Sequence, residues 1–378
     1  MASPAPRGAR LAAIDVLRGL VMVLMTVDHS SDVFNAGRLF TDSVGMWTPG
    51  NPLPLWQFLT RWISHLCAPT FVLLAGTALA LSTAGRMARG ESAGSIDRHI
   101  ALRGVLLIVL DVVWMGLGLV GPGTVLLQVL YAIGGSFLAM TLLRRLPSRA
   151  LLAVGLGLIV LDEPLMMATS LLHVDRSVPA ALFVSFGFFL QGHFIVGYAL
   201  LPWLGIMCCG WVLGRKLLEW PEAGRSAKAA RVLAVWGAGL LAVFVVVRGA
   251  NSFGNAFLFR DDGSLQQWLH VSKYPPSVAY DGLELGIACL LLAGLFVVME
   301  RRPGFAGPLR TLGSVALFYY LLHVHLLAAA SYLLGVHGKL GLGATYLGAL
   351  VCVLALYPAC VWYRGYKARN PGGWRQYV

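Results

Sequence analysis

Long apolar stretches separated by short polar segments dominate the chain. A helix that spans a bilayer needs roughly 20 mostly apolar residues, and about ten stretches of the sequence meet this requirement. They cover residues 12–34, 57–82, 99–120, 123–143, 150–172, 195–218, 229–249, 277–299, 311–335 and 341–364. The pattern predicts an all-α, polytopic transmembrane bundle of about ten helices, forming one domain over residues 1–378.

Residues 178–194 are also apolar, but they are rich in Phe and Gly. Irregular backbone at membrane depth is tolerated only where protein covers it. We interpret this segment as a re-entrant or interfacial piece.

The first apolar stretch also resembles a signal peptide, because Arg7 and Arg10 precede it. However, Asp15 and Arg18 interrupt the apolar core, and no cleavage-site pattern follows. We therefore expect a first helix that is retained.

The distribution of Lys and Arg predicts the orientation. Ten spans divide the connecting segments into two sets, and 20 of the 29 Lys and Arg residues fall in the set that contains both termini. The positive-inside rule places that set in the cytoplasm, so both termini lie inside. The net charge of +12 thus follows from topology and gives no reason to expect a nucleic-acid partner.

Composition supports a membrane protein: 58% of the residues are hydrophobic, 12% are charged and the mean hydropathy is +0.74. The six cysteines lie in or beside apolar runs and lack the paired C-x-x-C spacing of a zinc site. We interpret them as small buried hydrophobic residues and expect no metal.

Polar residues of the first helix form a stripe. Their spacing of three or four residues places them on one helical face; the members are Asp15, Arg18, Met22, Met25, His29 and Asp32. Asp28 points about 100° away from His29, so we expect its partner on another helix.

Charged groups inside a membrane are costly and usually mark a function or a structural pair. In a functional interpretation, His29 is a catalytic base that Asp28 or Asp32 orients. Arg18, together with Asp15, then binds a donor that enters from the cytoplasm. In the structural alternative, an Asp15–Arg18 ion pair helps the helix to insert into the membrane, and His29 forms a hydrogen bond to a neighbouring helix.

The second helix contains His65, at a depth similar to that of His29, and Pro69, which removes a backbone donor and frees carbonyl groups. His65 is therefore a second candidate base. An apolar setting disfavours the thiolate of Cys67, so we do not expect a cysteine nucleophile.

Further polar residues lie in other spans: Asp111, Asp162, Glu163, Glu284, His323 and His325. The two histidines are two residues apart and face different ways, so a shared metal site is not expected.

The long outer loops, 35–61 and 250–276, mix aromatic and amide side chains. That mixture suits a sugar, although an aromatic belt at the interface is the alternative. The candidate substrate-binding residues are Trp47, Trp56, Lys273, Tyr274 and His323.

Five segments together resemble the catalytic family of heparan-α-glucosaminide N-acetyltransferase. They are RLAAIDVLRG at 10–19 with the pair at 28–29, HLCAPTFVLLAG at 65–76, LPWLGIM at 201–207, KYPPS at 273–277 and FYYLLH at 318–323. The resemblance implies transmembrane acyl transfer from cytoplasmic acetyl-CoA, or another acyl-CoA, to an amine or hydroxyl acceptor, often on a sugar, on the far side. It also implies a multi-pass protein of the bacterial inner membrane.

One departure from the family pattern affects the site. The lysosomal branch carries its active histidine in the loop after the first helix, but residues 34–57 contain no histidine. The resemblance therefore assigns the base to His29, where that branch has an asparagine, and His65 is the second choice.

A transporter or flippase for a small polar or lipid-linked molecule is the alternative function, because buried ionisable residues and broken helices also serve transport. The sequence shows no paired halves, which favours the acyltransferase. A scaffold without chemistry would leave the stripe of the first helix unexplained.

Overall fold

The computed structural model describes residues 8–221, 224–370 and 373, and the side chains from residue 12 onward. Arg7, which belongs to the signal-peptide alternative, lies outside these residues. The helices are α1 Gly8–Phe34, α2 Leu55–Ile63, α3 Cys67–Ala88, α4 Ala93–Leu110, α5 Gly116–Val120, α6 Val129–Leu143, α7 Ser148–Val160, α8 Asp162–Leu171, α9 Val178–Phe183, α10 Leu200–Glu219, α11 Arg225–Ala250, α12 Leu265–Leu269, α13 Val278–Arg301, α14 Gly307–Ser314, α15 Ala316–Leu333 and α16 Leu342–Arg369.

The molecule is an all-α polytopic membrane bundle, as the apolar pattern predicts. Among the described residues, seven helical segments are long and apolar enough to cross a bilayer, or eight if the bent pair α7 and α8 forms one span. The axes of that pair differ by 49°. The stretch at 12–34 is the charged helix α1, and the stretch at 123–143 contains the 15-residue helix α6. The count of about ten spans therefore stays a prediction.

A small sheet includes part of the segment 178–194, which the sequence predicts to be re-entrant or interfacial. Strands β1 (Val125–Leu127), β2 (Gly187–Phe189) and β3 (Phe194–Val196) form it in the order β1-β3-β2. β3 pairs parallel with β1 and antiparallel with β2, so the backbone groups of this segment find partners within the protein. Apolar side chains of α9 and the strands pack beneath the sheet, which is the protein cover that such a segment requires.

α1 lies at the centre of the bundle, where it contacts α3, α13, α14, α15 and α16. Two glycines allow the closest of these approaches. A β-carbon at Gly19 would overlap the carbonyl oxygen of Leu309, and one at Gly313 would overlap that of Asp15. Only a residue without a side chain fits at either position, and the packing fixes how the stripe of α1 faces its neighbours.

The break between α2 and α3 follows from Pro69. A short 3₁₀ turn, Ser64–Leu66, joins the two helices. Because Pro69 has no N–H, the carbonyl of His65 lacks its usual partner one turn later. The hydroxyl of Tyr280 in α13 donates to that carbonyl at 2.9 Å. The expectation that Pro69 frees a carbonyl is thus confirmed.

Loops that the sequence assigns to the outside contact one another. The amide of Gly50 donates to Asp261, and the amide of Ala36 donates to the carbonyl of Leu340. At the other end of the bundle, Arg144 and Arg145 both pair with Asp97. The two loop sets therefore gather at separate ends, while their assignment to the cytoplasm and the outside rests on the Lys and Arg distribution.

Candidate active site

A first cavity, here called the inner cavity, lies beside the amino-terminal half of α1 and has a volume of about 260 Å³. Three cationic side chains face it: Arg18, Arg103 and Lys367. The rest of its wall is mainly apolar and comes from α1, α3, α4, α6 and α15; it includes Met25, Phe71, Ala75, Leu107, Val129, Ile133, Phe137, Leu317 and Tyr320. A cavity with cations and an apolar wall suits a ligand that joins anionic groups to an apolar arm.

Arg18 has the partner that the sequence predicts. Its Nη1 atom lies 3.0 Å from Oδ1 of Asp15 and also donates to the carbonyl of Gly313 at 3.2 Å. Among the described residues, no carboxylate pairs with Arg103, whose guanidinium lies over the ring of Phe137. The position of Arg103 inside a span was visible in the sequence, but its approach to Arg18 was not.

A second cavity, the outer cavity, lies at the carboxyl-terminal end of α1 and has a volume of about 240 Å³. His29 lines it, together with Asp28 and Asp32. Lys273 and Tyr274, predicted at the outer mouth, also line it. The stripe of α1 therefore connects the two cavities, since Arg18 and Met25 face one of them and His29 faces the other.

Charges of alternating sign form a chain along one side of the outer cavity. Nε of Arg61 donates to Asp42 at 2.6 Å, and its Nη1 donates to Asp28 at 2.7 Å. Arg38 then pairs with Asp28 at 3.0 Å and with Asp32 at 3.2 Å. The expectation that Asp28 finds its partner on another helix is confirmed, since Arg61 belongs to α2. The meeting of Arg38, Asp42 and Arg61 was not predicted from the sequence, because it depends on the path of the loop between α1 and α2.

Asp42 anchors the loop between α1 and α2. Burial opposes its charge, but Arg61 and His65 outweigh burial and hold the pKa of Asp42 well below its usual range. The backbone carbonyl of Asp42 accepts from the amides of Lys273 and Tyr274, at 2.8 and 3.2 Å. This loop therefore fixes the position of the segment that carries Lys273 and Tyr274 into the cavity.

His29 is paired with another histidine. Nδ1 of His29 lies 2.8 Å from Nε2 of His323, and Nδ1 of His323 lies 3.2 Å from the carbonyl of Tyr319. A carbonyl only accepts, so Nδ1 of His323 carries a proton and Nε2 of a neutral His323 is the acceptor. Nδ1 of His29 then donates, and Nε2 of His29 keeps its lone pair. The two carboxylates expected to orient His29 are instead paired with arginines, Asp28 with Arg38 and Arg61, and Asp32 with Arg38.

The histidine pair lies between the two cavities. Tyr320 lines the inner cavity, and its ring centroid is 6.4 Å from that of His29 and 5.5 Å from that of His323. Met25, also on the inner cavity, precedes His29 by one helical turn, which is about 6 Å of rise. A ligand in the inner cavity therefore needs to extend only a short distance to reach the pair.

The structure places five predicted site residues outside both cavities. Asp15 does not line the inner cavity and reaches it only through its ion pair with Arg18. His65 is buried against Asp42 at 3.2 Å, and His323 is buried behind His29. Trp47 packs on His270, with ring centroids 4.7 Å apart, and Trp56 is 70% exposed on the outer side of α2. These side chains pack against protein or face away from the cavities, so the substrate contacts expected of the tryptophans and of His323 stay predictions.

The other intramembrane polar residues have structural partners or lie away from the cavities. Asp111 accepts from the amides of Gln128 and Tyr131, and Glu163 accepts from two amides of the loop after α11. His325 faces Trp114, opposite to the direction of His323, as the spacing predicts. Among the described residues, no group of three or more His, Cys, Asp or Glu side chains could hold a metal ion.

Fold and cavities define a membrane-embedded helical protein with a histidine pair between two ligand-sized cavities. The family of the catalytic region of heparan-alpha-glucosaminide N-acetyltransferase matches residues 10–248. Because the match covers more than half of the sequence, the chain belongs to this family. Membership indicates a transmembrane acetyltransferase and therefore a transferase enzyme. None of the curated proteins matches the chain.

Removing the charge of Asp42 tests the role of the ion-pair chain. We expect Asp42→Asn to lower the free energy of unfolding by about 3 kcal/mol, because Arg61 would lose one of its two buried partners. Because the pKa of Asp42 is lowered in the folded protein, its ion pair with Arg61 stabilises the folded state fully above about pH 4. This stabilisation is lost as the pH falls further. Thermal unfolding of the detergent-solubilised protein at several pH values measures both effects.

The control is Glu91→Gln, since Glu91 also pairs with two arginines, Arg86 and Arg89, but near the surface. Surface pairs contribute little, so this variant should unfold close to the wild-type temperature. Equal losses in the two variants would contradict the role assigned to Asp42.

Proposed function

We propose that the chain transfers an acetyl group across a membrane. The donor is acetyl-CoA in the inner cavity on the cytoplasmic side. The acceptor is an amine or hydroxyl, with a sugar as the expected carrier, in the outer cavity. One observation carries this proposal: a single face of α1 lines both cavities and bears His29 between them. We place the protein in the bacterial cytoplasmic membrane, as one domain with both termini inside.

The inner cavity has the chemistry that a CoA ester requires. Arg18, Arg103 and Lys367 supply positive charge for the phosphate groups, and the apolar wall suits the pantetheine arm. The cations hold the charged end of the donor in place. Only the thioester end then extends past Met25 and Tyr320 toward His29.

His29 is the proposed base. Its Nε2 lone pair takes the proton of the acceptor N–H or O–H while the acceptor attacks the thioester carbonyl carbon. The carbon–sulfur bond breaks, and the CoA thiolate leaves and receives a proton. Attack by Nε2 itself, which would form an acetyl-histidine before transfer, uses the same tautomer. Asp28 and Asp32 act indirectly, because their ion pairs fix the outer turn of α1.

The acyltransferase and the transporter differ in what they do with acetyl-CoA alone. We expect the purified protein to bind radiolabelled acetyl-CoA and to hydrolyse it slowly. His29→Ala should keep binding and the thermal unfolding temperature but lose hydrolysis, because no base would activate the water. A wild-type protein that neither binds nor cleaves acetyl-CoA would favour the transporter, and a His29→Ala variant that cannot fold would favour a structural role.

His323 is a positioning residue, because it accepts the hydrogen bond that holds the ring of His29. A residue that only fills space would not need an acceptor atom at this position. His323→Leu should lower kcat by about 100-fold with KM unchanged, because Nδ1 of His29 would lose its acceptor. His323→Gln should restore part of kcat, because the amide oxygen can accept the same hydrogen bond. The control is His325→Leu, two residues away and turned toward Trp114, which should behave like wild type. Equal activities of the Leu and Gln variants at 323 would contradict this assignment.

The donor site is tested with two thioesters that differ in their phosphates. Arg103→Gln should raise KM for acetyl-CoA by about tenfold, because one charged contact to phosphate is lost. KM for S-acetylpantetheine, which has no phosphate, should not change. Arg86→Gln is the control, since Arg86 lies at the same end of the bundle but pairs with Glu91. An equal rise in KM for both thioesters would show that Arg103 shapes the cavity rather than binds phosphate.

A further inference from the structure

The two sides of the outer cavity differ in chemistry. One side carries the chain of alternating charges and Lys273. The apolar part of the lining consists of Met46, Leu119, Phe186, Phe188 and Ile195, while the ring of Phe40 packs against the guanidinium of Arg38. Phe188 is 60% exposed, so this apolar part reaches the surface of the protein. The cavity therefore joins a polar side next to His29 to an apolar rim.

The apolar side is continuous with surface that faces lipid. Leu119 belongs to the candidate span Ala93–Val120, in which the neighbouring Leu117 and Val120 are 49% and 40% exposed. Residues 112–127 and 177–192, which form this side of the molecule, contain no charged side chain. Exposed apolar surface of this kind in a membrane protein is covered by hydrocarbon.

We propose that the acceptor is a membrane-anchored amphiphile. Its polar head carries the reacting hydroxyl or amine and enters the charged side near His29. Its hydrocarbon anchor lies along Phe186, Phe188 and Leu119 toward the bilayer. This inference rests on the proposed acetyl transfer. The acceptor loses its N–H or O–H proton and gains the acetyl carbon, and CoA leaves as the thiol.

A soluble glycan is the other acceptor that the cavity could take, because aromatic rings also stack on sugars. The apolar surface, however, continues past Phe188 to Leu190, which is 76% exposed and does not line the cavity. A hydrocarbon chain can cover that surface, whereas a soluble sugar does not need it. The observations therefore favour an anchored acceptor.

The test asks which phase of a membrane extract receives the acetyl label. Inside-out vesicles from a deletion strain of the source cells, carrying the wild-type chain or a variant, are incubated with radiolabelled acetyl-CoA and extracted with chloroform and methanol. We expect most of the label that depends on His29 in the organic phase. Phe188→Ser should lower that label about tenfold, which corresponds to ~1.4 kcal/mol of lost contact.

The matched control is Leu190→Ser. Leu190 is 76% exposed and lies just after β2, but it does not line the cavity. The label that the Leu190→Ser variant transfers to the organic phase should therefore stay within about twofold of wild type. Ile195→Ser, on the neighbouring strand, is a second cavity variant with the same expected loss as Phe188→Ser. Acetyl-CoA binding should be unchanged in all three variants.

If the label that depends on His29 appears in water-soluble glycan, the proposal of a membrane-anchored acceptor is wrong. The proposed acetyl transfer would still be supported. Equal losses in Phe188→Ser and Leu190→Ser would also overturn it, since a general effect on the surface would explain both. No label that depends on His29 in either phase would contradict the acetyl transfer on which the inference rests.

Discussion

The ion pair between Asp28 and Arg61 is the interaction on which the site depends. A carboxylate at the outer end of a membrane helix is costly unless a cation neutralises it. Arg61 in α2 does so at 2.7 Å and also pairs with Asp42 in the intervening loop. α1, the loop and α2 are thereby joined at one point. The loop in turn holds the backbone of Lys273 and Tyr274, so one buried arginine organises three separate parts of the outer cavity.

The helical repeat separates the structural role from the chemical one. Asp28 and His29 are adjacent in sequence, but their side chains leave the helix about 100° apart. One direction leads to Arg61 and Arg38, and the other leads to His323. A rigid ion pair at position 28 therefore fixes the rotation of α1 and, with it, the direction of the His29 ring. Close contact at Gly19, near the middle of the helix, fixes the same rotation.

The sequence predicted those features that follow from local spacing and hydropathy. Runs of apolar residues marked the spans, the stripe of α1 marked the face that lines both cavities, and Pro69 marked the break before α3. The partner of His29 could not be found in this way. Asp32 has the right spacing, but a carboxylate in a membrane pairs with the available arginine, and Arg38 lies in a loop whose path depends on tertiary contacts. The three short strands of the sheet were missed for a related reason, since three residues carry no usable periodicity.

The charges of the two cavities differ in a way that suits transfer in one direction. The inner cavity has three cations and an otherwise mainly apolar wall, so it suits an anion with an apolar arm. The outer cavity balances three carboxylates, at 28, 32 and 42, against Arg38, Arg61 and Lys273, so it suits a polar group of low net charge. In the proposed reaction, the phosphates of the donor are held on one side while the acetyl group, which is small and uncharged, moves past the histidine pair. Because no charged group has to cross, transfer avoids the cost of moving an ion through a low-dielectric region.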